Sequence, residues 1–147
     1  MQQIELEDLA LWAKDIAGLV SEGRQVTIAV SGRSMRPFIE HKRDKVVLVK
    51  AETVNKGDVV LAHTVERGCV LHRVASINNG RCTLRGDGNL DTEHCETGDV
   101  IAKVSAVIRK AHRFDVDGRV WRAYSFLWMK LLPLRRYLLA LYRLCKR

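Results

Sequence analysis

A serine, a histidine and two aspartates stand in this chain in an order that could support acyl chemistry. Ser34 lies in Ser31-Gly32-Arg33-Ser34-Met35-Arg36-Pro37, just beyond an apolar run at residues 26–30 that alternates like a strand. Gly32 permits a tight turn and Pro37 fixes the backbone after it, so Ser34 is expected on an exposed strand-to-turn corner. An ordinary surface turn uses the same residue types. A serine hydroxyl needs a base to take its proton as it attacks a carbonyl carbon. His72, in Leu71-His72-Arg73-Val74, has an ordinary pKa of about 6.5, close to working pH, although a histidine in a strand is commonly no more than a satisfied, partly buried residue. Lys45, Lys50 and Lys56 are other bases in principle, but a lysine must be desolvated to lose its proton. A carboxylate would orient the imidazole and stabilise its charged form. Gly86-Asp87-Gly88-Asn89-Leu90-Asp91 offers Asp87 and Asp91, with Asp87 ranked slightly first. The same Asp87 could instead cap the amides of its own turn.

The order of these segments carries more information than any one of them. Ser34-Met35-Arg36-Pro37 is followed by Asp44-Lys45-Val46-Val47-Leu48-Val49, Lys56-Gly57-Asp58-Val59-Val60-Leu61, Leu71-His72-Arg73-Val74, Leu84-Arg85-Gly86-Asp87-Gly88-Asn89 and Gly98-Asp99-Val100-Ile101-Ala102-Lys103-Val104. Over residues 25–110 this succession resembles the catalytic domain of the signal peptidase I and LexA-like serine peptidases. It is most similar to the branch with a histidine base, as in the catalytic subunit of the endoplasmic-reticulum signal peptidase. The bacterial branch has lysine where His72 stands. The resemblance implies a compact β-barrel-like peptidase domain that cuts a peptide or precursor protein, including signal-peptide processing. Ser34 is then the nucleophile and, through its backbone N–H, an oxyanion donor; His72 is the base. Asp87 matches the aspartate of the family's Gly-Asp box, and Asp91 lies nearest to a second acidic position at a shorter spacing. Met35 and Pro37, flanking the serine, are expected to touch substrate. No cofactor and no metal are expected. The chain departs from the family in having Gly32 where many members carry a hydroxyl, and in lacking an apolar anchor near its N-terminus.

The elements that must hold these residues read as follows. Residues 4–22 form an amphipathic helix, with Leu9, Trp12, Ile16, Leu19 and Val20 on one face and Gly23 at its stop. Its charges exclude a signal peptide and a membrane span. Short β-branched runs at 45–50, 58–63, 69–77, 81–85 and 99–109 read as strands, with turns at Glu66-Arg67-Gly68 and Asn78-Asn79-Gly80. Residues 86–98 lack periodicity and read as a loop. Residues 112–120 read as a hairpin turning at Asp117-Gly118. The fold expected is mainly β, a curled, barrel-like antiparallel sheet with an N-terminal helix and a C-terminal helical tail. Its divisions are residues 1–24, 25–119 and 120–147.

The chain carries 25 Lys and Arg against 17 Asp and Glu, a formal charge of +8. Residues 1–108 hold 14 basic and 15 acidic side chains, whereas residues 109–147 hold 11 and 2. The basic excess therefore belongs to the tail, which points to an anionic partner there rather than on the central domain. In the tail Leu134, Leu138, Leu141 and Cys145 fall on one helical face and Arg136, Arg143 and Arg147 on another, with Pro133 as a kink. Trp121, Tyr124, Trp128, Tyr137 and Tyr142 are residue types of the membrane–water boundary. An anionic membrane surface is the expected partner of residues 120–147, and nucleic acid is not. A non-catalytic β-domain that docks on a membrane or partner protein through this helix is the competing function. The four cysteines show no Cys-x-x-Cys pair, and His94-Cys95 beside Cys82 fits no zinc spacing. Reduced thiols and a cytoplasmic, peripherally membrane-associated protein are expected.

Overall fold

The computed structural model describes residues 9–29, 34–36, 39 and 43–146. Helix α1 (Leu9–Ser21) comes first, then strands β1 (Val26–Ala29), β2 (Asp44–Val49), β3 (Val59–Thr64), β4 (Gly68–Asn78), β5 (Arg81–Arg85), β6 (Glu93–Glu96), β7 (Val100–Arg109) and β8 (His112–Asp115), and finally helices α2 (Arg119–Lys130) and α3 (Arg135–Lys146). All pairings are antiparallel, in the order β1-β2-β7-β3-β4-β5-β6. The sheet is a curled half-barrel. The long strand β7 takes β2 along one edge, and β3 and then β8 along the other. Irregular registers at Val47/Leu48, Leu61/Ala62 and Val74/Ser76 add the local bend that curling requires.

The two faces of the sheet bury different cores, because successive strand residues point to opposite sides. The larger core holds Val26, Ile28, Val46, Leu48, Leu61, Leu71 and Val104 from the strands. Ile16 and Val20 of α1, Met35, Ile39, Trp128 of α2 and Leu139 of α3 also lie in it. The smaller core, inside the curl, holds Val60, Ala62, Val74, Cys82, Leu84 and Cys95. Gly23 ends α1 at φ 84°, where its N–H meets the Val20 carbonyl and the Arg24 N–H reaches Leu19. A residue with a Cβ would strain that left-handed closure. Asn79 and Gly80 both have positive φ, 50° and 79°, the geometry of a two-residue turn that matches strand twist.

Two sequence expectations need correction. Residues 86–98 include a strand, β6, hydrogen-bonded along β5. It is an edge strand of four residues, two of them glutamates, too short and polar to announce itself by periodicity. The final hairpin turns at Lys110 and Ala111, both left-handed at φ 50° and 67°, rather than at Asp117-Gly118. Gly118 instead begins α2. The tail is helical as expected and breaks at a short 3-10 turn, Leu132–Leu134, around Pro133. No helix among the described residues is long and apolar enough to cross a membrane.

Candidate active site

Ser34 sits in a turn stitched to the loop that follows β5. Its carbonyl accepts the Gly88 N–H at 2.8 Å. The next residue, Met35, is buried in the larger core, and its sulfur accepts the Asp87 N–H at 3.4 Å. Between the two segments lies Gly86, where a Cβ would collide with the Ser34 carbonyl oxygen and stand 3.1 Å from Nε2 of His72. Glycine at this position is a packing requirement. It lets the serine turn and the imidazole close on the same point.

His72 reaches that point from the middle of β4. It pairs with Val60 of β3 and lies on the face of Val70 and Val74, toward the smaller core. On β6, Glu93 shares this face with Cys95 and stands opposite Leu84 of β5. Curling thus brings His72 and Glu93 together although 20 residues separate them. His72 is 3 % exposed and Glu93 0 %, and His72 Nδ1 stands 2.7 Å from Glu93 Oε1. The contact is short but off the hydrogen-bond axis: neither Nδ1 nor either Glu93 oxygen has an aligned partner among the described residues. The imidazole is therefore gripped at one nitrogen by a carboxylate, and its other nitrogen faces the Ser34–Gly86 junction.

Burial sets the protonation of this pair. It pushes His72 down to about 4, with help from the positive charge of Arg67, and it pushes the Glu93 carboxyl up, with Glu66 and Asp91 acting in the same direction. At neutral pH the imidazole is uncharged, the state a base needs. Once a proton arrives on the imidazole, an ionised Glu93 beside it would stabilise the imidazolium.

Of the two acids expected to orient His72, neither does. Asp87 is fully buried, but both of its oxygens are taken by Arg73: Nε donates to Oδ1 at 2.8 Å and Nη2 to Oδ2 at 2.7 Å. Its carbonyl accepts the Trp128 indole N–H at 3.0 Å. Asp91 is exposed and lies 3.7 Å from Arg67. The carboxylate that meets the imidazole is Glu93, which the loop reading of 86–98 passed over. Its signal was the alternation Glu93-His94-Cys95, since an inward Cys95 forces Glu93 inward and His94 outward. His94 indeed points away, 2.9 Å from the exposed Glu66. Met35, expected at the substrate surface, is 2 % exposed and anchors the turn instead. Pro37, Ser31 and Gly32 lie outside the described residues. The lysine alternatives do not meet the burial requirement, because Lys50 and Lys56 are exposed and Lys45 is half-buried. Among the described histidines only His72 is buried.

Neither the protein-family models nor the curated proteins compared with this chain give a match. The residues themselves must carry any assignment.

Proposed function

We propose that this protein is a serine endopeptidase of signal-peptidase type, with Ser34 as nucleophile, His72 as general base and Glu93 as the orienting carboxylate. In this reading the Ser34 hydroxyl attacks the scissile carbonyl carbon while His72 Nε2 takes its proton. The Ser34 N–H donates to the oxyanion that forms. The imidazolium, held against Glu93, then returns the proton to the leaving amine, and water hydrolyses the acyl-enzyme by the same route in reverse. The substrate class, a peptide or precursor protein, and the signal-peptidase type are what the resemblance of the ordered segments between Ser34 and Val104 implies.

One observation supports the reading above the others. A buried, neutral imidazole touches a carboxylate at Nδ1 (2.7 Å) and faces the Ser34–Gly86 junction at Nε2. A histidine serving only to pack would need no buried carboxylate without aligned hydrogen bonds, an arrangement that costs stability. The test is mass spectrometry of a peptide library and of candidate precursors incubated with wild type and with Ser34→Ala. Products formed by wild type alone are expected. An identical peptide pattern for both proteins would remove the proposal.

A further inference from the structure

Behind the strand that carries His72, on the opposite sheet face, lies a cavity of about 840 Å³ between the strands and α2. Seven basic side chains line it against three acidic ones, Asp58, Asp87 and Asp117. Of these acids Asp87 is already bound in both oxygens by Arg73, and Asp58 accepts the Asn55 N–H at 2.9 Å. Two of the bases, Arg85 and Arg135, make no hydrogen bond or ion pair with a carboxylate among the described residues. The Arg85 side chain makes no hydrogen bond or ion pair among the described residues, and its Nε is buried and unpartnered. Arg135 is 3 % exposed; Nη2 reaches the Trp128 carbonyl at 3.3 Å and the guanidinium lies over the Trp128 ring, but its Nε has no partner. The Ser125 hydroxyl in the same wall is also buried and unpartnered. Burial pulls the Arg135 pKa down; the Asp87 charge opposes this, and the Arg85 and Arg73 charges add to it. The only carboxylate that acts on Arg135 among the described residues, Asp87, is committed in both oxygens to Arg73, and a buried guanidinium with no carboxylate of its own is costly, so the arrangement makes sense when an anion completes it.

The rim of the cavity decides what carries that anion. Phe126 lines the mouth and is 65 % exposed, joined to the rim residue Lys130 by a cation–π contact of 5.5 Å. After it in the chain, Tyr137, Leu141 and Leu144 of α3 are all exposed, and their 4-3 spacing places them on one stripe of that helix; Leu134, in the 3-10 turn before α3, is exposed as well. Arg136 and Arg143 flank that stripe and are also exposed. Arg135 lines the cavity and opens the helix that carries the stripe, and a cationic pocket joined to an apolar stripe complements a phosphate attached to hydrocarbon.

We infer that this cavity binds the headgroup phosphate of an anionic phospholipid, with the exposed stripe of α3 and Phe126 lying against the acyl chains. Arg85, Arg135 and Ser125 would donate to the phosphate oxygens. The inference does not depend on the peptidase reading.

The test is co-sedimentation of the full chain with vesicles of phosphatidylglycerol in phosphatidylcholine, at low salt and at about 0.5 M salt, where surface attraction is screened. Arg85→Gln is compared with Arg143→Gln, which removes the same charge from the exposed surface of α3. Binding to the anionic vesicles that partly survives high salt is expected, and Arg85→Gln should lower the surviving part about tenfold while Arg143→Gln affects mainly the low-salt part. Pure phosphatidylcholine should bind poorly. Lys130→Gln, at the exposed rim, serves if Arg85→Gln melts well below wild type, and is expected to weaken the salt-resistant part in the same sense. Equal losses from the pocket and surface variants would reduce the effect to surface electrostatics and overturn the inference. So would saturable binding of glycerol 3-phosphate without vesicle binding, which would assign the pocket to a soluble phosphate.

Discussion

His72 and Arg73 are consecutive residues of one strand, and each buries a charge-bearing side chain against a carboxylate. The strand sends them to opposite faces of the sheet, and the two pairs differ in kind. Arg73 and Asp87 form a closed fork, two hydrogen bonds of 2.7 and 2.8 Å, with a third from Arg73 to the Gly57 carbonyl at 3.0 Å. Every group there is fixed in place, and the pair ties the loop after β5 to the turn before β3. His72 and Glu93 stand as close, at 2.7 Å, but misaligned, with acceptor capacity unused and both groups shifted toward their neutral forms. A closed pair resists change. An open one can take up a proton without first breaking what holds it. Under the proposed mechanism, then, adjacent residues divide holding the site together from acting in it.

Breaking the open pair should have the largest effect, and chiefly on activity. Ser34→Ala and His72→Ala are each expected to lower peptidase turnover on the order of 10³-fold or more, with the double variant little worse than either because the two act as a unit. Full activity in either single variant would end the assignment. Glu93→Gln keeps the shape but not the charge, and should cost on the order of 10² to 10⁴-fold in kcat. The closed pair should respond in the other currency. Arg73→Ala leaves Asp87 buried and unpaired, and is expected to cost about 3–5 kcal/mol of stability in a denaturant melt. A mild melt for Arg73→Ala together with a large one for Glu93→Gln would reverse the comparison.

Gly86→Ala tests the junction where Nε2 meets the serine turn. The added methyl must push back the Ser34 carbonyl, and a displacement near 1 Å is enough to cost about 10²-fold in turnover. Unchanged kcat/KM would mean that the turn does not depend on this close approach.

The smallest effect, and the finest, is in pH. The proposed base, His72, acts only when neutral, so kcat/KM should rise with pH through its value in the free enzyme, about 4, rather than through the ordinary value of about 6.5. The same shift acts on stability. The folded value lies below the unfolded one, so the contribution is complete above about pH 6.5 and is lost as pH falls toward about 4. Melts of wild type and His72→Ala should therefore converge as pH falls through that window.

Much of this architecture was readable from residues alone. Asn79-Gly80 announced its turn through left-handed backbone, and the Val-rich alternation of β7 announced a long, half-buried strand. The succession from Ser34 to His72 placed two members of the candidate site. The third escaped because β6 is an edge strand whose inward residue is a glutamate, so hydrophobic patterning had nothing to report. Asp87 drew attention for a sound reason, its place in a glycine-rich turn, but sequence could not reveal that Arg73 would claim both its oxygens from across the sheet. The tail shows the same limit. Leu138 and Leu139 pack toward the domain, whereas Leu134 and Leu141 remain outside. Trp128, an apparent membrane-boundary residue, is in the core with its indole N–H on the Asp87 carbonyl. Helical spacing fixes which residues share a face, not which of two apolar faces the domain will take.

The central claim is that His72, held by Glu93, activates Ser34, and covalent labelling tests it without knowledge of the substrate. Wild type, Ser34→Ala, His72→Ala and Glu93→Gln would be treated with a fluorophosphonate and followed by intact mass and peptide mapping. The expected result is a single adduct on Ser34 in wild type, no adduct in Ser34→Ala, and labelling slowed at least about 10²-fold in His72→Ala and Glu93→Gln. Equal labelling rates in wild type and His72→Ala, or an adduct on any other residue, would contradict it.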